Sequence, residues 1–474
     1  MASVIIHIRL KNESWERIMA KSRDMDLVHG RLWSKILMFA LPLAASSILQ
    51  QLFNSADVAV VGQFAGSRAL AAVGSNAAVI NLLVNIFIGL SVGANVVIAR
   101  YIGEKNERKV QSAVHTAIAV SLLSGVIVMI LGIVVSRPIL ELISTPDDII
   151  GLAVIYLRIY FLGMPFMMLY NFGAAILRSI GDTKRPFICL LVSGIINVIL
   201  NLFFVIVCRL SVAGVAIATV ASNIVSSGLV LYFLTHEESS IKVNLKKLGI
   251  DKRILKEIAR IGLPAGIQGM VFSFSNICVQ SAVNSLGSDV VAGSAAALNF
   301  EYFAFFMLNA FSQACVTFTS QNYGAGEYTR CRKIAVQCSL MGFLASGAIC
   351  MLFLILGGTA LRFYTSESAV IAVGLVRMRY CLLLQFTSVL MDTLSGSMRG
   401  LGYSLVPALI SLAGSCGLRL VWIYLIFPQN PTYENLLIVY PLTWGITSMA
   451  MFIAYMVISR HSVRKLEEPS AIAV

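Results

Sequence analysis

The sequence predicts an all-α polytopic membrane protein, with twelve transmembrane helices in two six-helix lobes related by a parallel, pseudo-two-fold repeat. Three observations carry this. The 474 residues are 58% hydrophobic and 12% charged, where soluble domains run near 25% charged. Apolar runs of about twenty residues recur along the whole chain, each long enough for a bilayer core about 30 Å thick. They are continuous rather than alternating, which excludes barrel strands. The second half also repeats the first.

The spans are expected at 33–61, 71–99, 112–135, 153–176, 187–208, 212–235, 258–285, 289–319, 334–357, 372–397, 404–427 and 436–459. An even number puts both termini on one side. Of the 36 Lys and Arg, 28 fall in segments on the side of the termini, 7 on the other side or at outer helix ends, and Arg419 within a span. By the positive-inside rule both termini are cytoplasmic. The net charge of +13 therefore belongs to loops facing the cytoplasm and not to a nucleic-acid surface. The units are a cytoplasmic tail (1–32), an N-terminal lobe (33–235), a basic cytoplasmic linker (236–257), a C-terminal lobe (258–459) and a second cytoplasmic tail (460–474). Residues before Arg23 lack the apolar core of a signal peptide, and Met25 would serve equally as a start. Nine scattered cysteines and five dispersed histidines form no metal-ligand spacing and no disulfide framework.

The repeat is legible in three places. ALPLAASSILQQLFNSADVAV from Ala40 resembles GLPAGIQGMVFSFSNICVQSA from Gly262, aligning Pro42 with Pro264 and Asn54 with Asn276. RYIGEKNERKV after span two resembles NYGAGEYTRCRKI after span eight. LRSIGDTKRP at Leu177 resembles MRGLGYSLVP at Met398, so that Arg178, Gly181 and Pro186 meet Arg399, Gly402 and Pro407 at one offset of 221. Six spans per repeat give both halves the same orientation. Such parallel repeats place a substrate site near the midplane and work by rocking of one half against the other.

Polar residues inside the spans mark candidate sites. In span one, Ser47, Gln50, Asn54 and Asp57 follow helical spacings of three and four, so they share one face. A charge facing lipid costs at least about 2.5 kcal/mol, so this face looks at protein or a water-filled cavity. Asp57 is read as functional, the alternative being a structural Asp satisfied by neighbouring helices. In span five Ser193, Asn197 and Asn201 share a face, open to function or to helix–helix hydrogen bonding. Span seven carries Asn276, Gln280 and Asn284. Span eight carries Glu301 with Asn309 and Gln313, and span ten carries Asp392 near Gln385. Arg178 and Arg399 read as loop geometry with headgroup contact.

These residues also carry a family resemblance. The LP…Asn54-x-x-Asp57 stretch, SQNYGAG at Ser320 and the paired Leu177 and Met398 segments resemble the multidrug and toxic compound extrusion (MATE) family over residues 24–464. The resemblance implies two six-helix lobes and an antiporter that expels cationic or amphipathic compounds in exchange for Na⁺ or H⁺, with no further cofactor. It implies that Asp57 belongs to an ion site in the N-terminal lobe. Gln50, Asn54, Asn197 and Asn201 are its expected partners. Many family members have an Asp where Asn201 stands, which weakens a two-carboxylate proton relay here. One branch has a Glu in span seven where Phe272 stands. Glu301 is expected to neutralise a drug's charge, or else to form a structural ion pair. Asn276, Gln280, Asn309, Gln313 and Asp392 complete the expected substrate-binding set.

The nearest rival function is a lipid-linked saccharide flippase of the same superfamily, which would need a cationic central cavity. Basic residues avoid the span centres apart from Arg419, while the embedded charges are acidic, which favours cationic substrates. An enzyme would need a convergent catalytic set, and none is visible; no GxxxxGK[ST] motif offers nucleotide chemistry. A receptor would lack the repeat. The expected protein is a monomer in a bacterial inner membrane, its partners the bilayer and small organic solutes.

Overall fold

The computed structural model describes residues 25–143, 145–362 and 367–467. The N-terminal half folds as α1 (Leu32–Phe64), α2 (Ser67–Gly103), α3 (Glu107–Leu142), α4 (Asp147–Leu162), α5 (Met164–Ser179), α6 (Lys184–Leu202) and α7 (Ser211–Thr235). The C-terminal half folds as α8 (Lys252–Asn284), α9 (Ser288–Gly324), α10 (Tyr328–Arg362), α11 (Ser368–Gln385), α12 (Ser388–Gly400), α13 (Leu405–Ser411), α14 (Leu418–Val421), α15 (Tyr433–Leu437) and α16 (Val439–Glu467). Among the described residues, eleven helical segments are long and apolar enough to cross a bilayer, and the pair α4–α5, bent by 47°, supplies a twelfth.

Every expected span falls on helix, but the helices overrun the apolar runs. α2 and α9 have 37 residues each, about 55 Å at 1.5 Å per residue, so they project beyond the hydrocarbon layer. Spans four and ten are each broken, which the hydropathy run did not show. Pro165 follows the first break at Gly163 and has no N–H to give to a preceding turn. At the second break the Thr387 hydroxyl donates to the Leu384 carbonyl at 2.7 Å, a local bond that competes with helix continuation. The expected linker is shorter than 236–257, because Asp251 caps α8 by accepting from the Arg253 and Ile254 amides at 2.8 and 3.3 Å. Ile241 and Val243 of this linker are buried in the N-terminal core.

The repeat is visible as a reciprocal contact. A Cβ on Gly103 would lie 2.0 Å from the Gln321 carbonyl oxygen, and one on Gly324 would lie 2.0 Å from that of Arg100. Both pairs are related by the offset of 221, so the C-terminal ends of α2 and α9 cross on the pseudo-two-fold axis. Further along, Gly89-x-x-x-Gly93 of α2 lies against Gly262-x-x-x-Gly266 of α8. A Cβ on Gly89 would stand 2.3 Å from the Gly266 amide nitrogen, and one on Gly93 would stand 2.3 Å from the Ile258 carbonyl oxygen. Small residues four apart let two helix backbones touch inside a membrane, and here they join the lobes.

The lobes also interlock. Leu32, Ile36, Phe39 and Leu43 of α1 belong to the core of the C-terminal lobe, with Phe39 edge-on to Phe318 at 5.5 Å. Ile254, Ile258 and Ile261 of α8 belong to the N-terminal core. Each of these helices therefore starts in one lobe and ends in the other. The lobes meet at the end that carries Gly30, where Arg330 Nη2 donates to the Gly30 carbonyl ahead of α1 at 2.9 Å; within the C-terminal lobe Arg332 Nη2 donates to the Ser459 carbonyl at 3.2 Å. Ser320 Oγ, on α9, reaches the Val96 carbonyl of α2 at 2.5 Å. α8 stays in contact with α2 as far as Ser273, whose hydroxyl accepts from Asn85 Nδ2 at 3.1 Å, and beyond it Phe274, Ile277, Gln280 and Asn284 are exposed.

Candidate functional site

The far half of α1 faces a cavity of about 240 Å³. Leu43, Ser46, Ser47, Gln50, Phe53, Asn54 and Asp57 all line it; their spacing of three and four is the single helix face expected from the sequence. The opposite wall is Leu190, Ser193, Gly194 and Asn197 of α6, with Thr219, Ser222, Asn223 and Ser226 of α7. Tyr160 of α4, Met167, Tyr170, Asn171 and Arg178 of α5, and Pro186 of α6 complete the N-terminal lining. Gly194 sets the width: a Cβ there would lie 1.8 Å from the Phe53 ring, so only glycine lets α6 approach α1 this closely.

Asp57 meets Asn201 at this wall. Asn201 is 1% exposed; its Nδ2 donates to Asp57 Oδ1 and, at 3.3 Å, to Asn197 Oδ1. Its own Oδ1 is buried without a hydrogen-bond partner. An amide can serve a carboxylate in two ways. It donates N–H to the charged form, and when turned over it accepts from a protonated carboxyl or ligates a cation through oxygen.

The polar residues expected in the C-terminal half divide. Asn309 and Gln313 of α9 line the Asp57 cavity, because α9 packs along α1 where the lobes interlock. They stand with the ion-coupling candidates and not apart from them. Glu301, Asn276, Gln280 and Asp392 lie outside this cavity. Glu301 is 8% exposed and takes a bidentate contact from Arg377, Nε to Oε1 at 2.6 Å and Nη2 to Oε2 at 3.0 Å. Arg377 Nη1 adds Ser294 Oγ at 2.8 Å. The expectation that basic residues avoid the span interiors is corrected here. Arg377 is 3% exposed inside α11, and its partner lies 76 positions away, a distance that charge counting cannot bridge. Gln280 Nε2 donates to Asn284 Oδ1 at 2.9 Å on the exposed face of α8, and Asn276 accepts from Arg419 at 3.2 Å.

Arg178 and Arg399 are also corrected. Arg178 lines the cavity at the closed end of the lobe, where headgroup contact was expected. Arg399 Nη2 donates to Gln268 Oε1 at 2.6 Å, linking α12 to α8. Asp392 is half-buried on α12, and its backbone carbonyl accepts from Ser312 Oγ at 2.8 Å. The missed lining residues of α7, Thr219 to Ser226, follow a legible spacing of three and four; four small polar residues on one face of an otherwise apolar span were the available signal.

A family profile described as MatE matches the chain twice, over residues 42–203 and 264–425. The chain belongs to the MatE family. The two matches begin at Pro42 and Pro264 and so coincide with the internal repeat. Among curated MatE-like relatives, the chain is 28% identical over 399 residues to a probable multidrug resistance protein, YoeA, of Bacillus subtilis, covering 82% of this chain and 85% of that one. It is 26% identical over 382 residues to a probable multidrug resistance protein, NorM, of Thermotoga maritima, covering 80% and 82%. A solved structure described as the outward-facing conformation of a multidrug resistance MATE family transporter superposes with a TM-score of 0.87 at 20% identity, over 94% of this chain and 99% of that one. That likeness concerns the fold. This MatE chain is a multi-pass membrane protein of two six-span repeats.

Proposed function

We propose that this protein is a cation-coupled antiporter that exports cationic or amphipathic organic compounds by alternating access. One observation carries the reading: Asp57, held by Asn201, opens onto a polar cavity that Asn309 and Gln313 of the other half help to close. A carboxylate in that place attracts a cationic solute, Na⁺ or a proton, and a site that holds only one of them at a time exchanges them. Asn201, Asn197, Asn54 and Gln50 offer oxygen ligands to Na⁺ or hydrogen bonds to a neutral carboxyl. The names of the relatives favour multidrug export over the flippase alternative, as does the carboxylate at the cavity wall. The excess of Lys and Arg on the side of the termini makes that side cytoplasmic, so the closed end faces the cytoplasm of a bacterial inner membrane. The lobes interlock within one chain, and a monomer suffices.

Efflux of a fluorescent cationic dye from loaded cells, under an imposed Na⁺ gradient and separately a pH gradient, tests this. Gradient-driven efflux that is lost in Asp57→Asn supports the reading, and the gradient that works names the ion. Absence of dye movement under either gradient overturns it.

A further inference from the structure

The C-terminal lobe holds a second buried charged contact, between the two spans that correspond by the repeat to spans one and five. In the first lobe, Asn201 of span five reaches Asp57 of span one. In the second, Arg419 of span eleven reaches Asn276 of span seven, Nη1 to Oδ1 at 3.2 Å. Asn276 is the repeat partner of Asn54, and Arg419 is that of Val198, one turn before Asn201. A π-helical segment follows each contact on the same span, Phe203–Val207 in one lobe and Trp422–Ile426 in the other. Such segments concentrate at functional sites. Each lobe thus ties its fifth span to its first through a polar contact, but the charged group is a carboxylate on the first span of one lobe and a guanidinium on the fifth span of the other.

Arg419 is 1% exposed. Its guanidinium stands over the rings of Phe272 at 5.2 Å and Tyr440 at 4.9 Å, and its Nε is buried without a hydrogen-bond partner. The neighbouring acid is already engaged: Glu301 is chelated by Arg377, whose guanidinium also stands 5.4 Å from the Tyr440 ring. Around Tyr440 there are two guanidiniums and one carboxylate. Aromatic faces attract a guanidinium but do not neutralise it, and a buried charge without a counter-charge is strongly unfavourable. The contact with Asn276 gives access, because Asn276 is exposed on the part of α8 that diverges from the first lobe.

We infer that the C-terminal lobe binds one small monovalent anion, a halide or the carboxylate group of a solute, at Arg419 beside Phe272, Asn276 and Tyr440. The anion accepts N–H from the guanidinium and supplies the missing negative charge.

The test is equilibrium binding of radiolabelled chloride, and separately of labelled acetate, to the purified full chain in detergent with sulfate as the background anion. Saturable binding near one ion per chain is expected. Displacement of chloride by acetate places a carboxylate in the site; chloride that acetate cannot displace limits it to halides. Arg419→Gln is expected to abolish binding. Arg419→Lys and Asn276→Leu, which retain or spare the charge, are expected to weaken it about tenfold, equivalent to about 1.4 kcal/mol. They decide the matter if Arg419→Gln does not fold. No saturable binding of either anion to the wild type overturns the inference. So does binding undiminished in Arg419→Gln or, where that variant does not fold, in both milder variants.

Discussion

Replacing Glu301 by glutamine separates a structural carboxylate from one that meets a substrate. The wild-type carboxylate accepts two bonds from Arg377, at 2.6 and 3.0 Å, with both side chains nearly inaccessible at 8% and 3% exposed. The neutral amide of Glu301→Gln would leave the guanidinium buried without its counter-charge. Breaking such a pair costs about 3–5 kcal/mol, which in a protein of this size lowers the melting temperature by about 3–5 °C. Seven of the nine cysteines are buried, so a thiol-reactive fluorogenic maleimide reports the transition in detergent. Replacing both partners, Glu301→Met with Arg377→Met, removes the unpaired charge and is expected to recover most of the loss. A Glu301→Gln protein that melts with the wild type yet no longer binds cationic dye would refute this reasoning and assign the carboxylate to the substrate.

Asn201→Leu removes the donor to Asp57 and is expected to lower dye efflux at least about tenfold. The carboxylate left without its donor costs about 1–3 kcal/mol in stability, so efflux and melting are read together. Gly194→Ala places a methyl 1.8 Å from the Phe53 ring and drives that ring into the cavity; efflux of bulky dyes should fall more than that of small ones, with melting little changed. Gly89→Val meets backbone, the Gly266 amide nitrogen at 2.3 Å from the added Cβ, and backbone cannot turn aside. It is expected to cost about 3 kcal/mol or more, seen as reduced yield and a lower melting temperature.

Much of this was legible in the sequence because it is periodic or repeated. The spans follow from apolar length, and the α1 face from the spacing of Ser47, Gln50, Asn54 and Asp57. The pseudo-two-fold follows from the pairing of Arg178 and Gly181 with Arg399 and Gly402. What was not legible depends on contacts between distant segments. Arg377 reads as a charge near an outer helix end until Glu301, on another span, is brought to it. Asn309 and Gln313 read as part of a C-terminal site, yet the interlock of α1 with α9 turns them into the N-terminal cavity. Arg178 sits in a loop motif, but the last turn of α5 points it inward. The breaks at Gly163 and at residues 386–387 arise from one proline and one side-chain hydrogen bond, which hydropathy averages away.

The central claim is that the coupling ion and the exported solute share Asp57. Binding of a fluorescent cationic dye to the purified protein, titrated against Na⁺ at fixed pH and against pH at fixed Na⁺, addresses it most directly. Wild-type affinity should fall as one of the two ions rises, while Asp57→Asn should bind the dye weakly and with no dependence on either. An Asp57→Asn protein whose dye affinity still falls with the same ion would contradict a shared site.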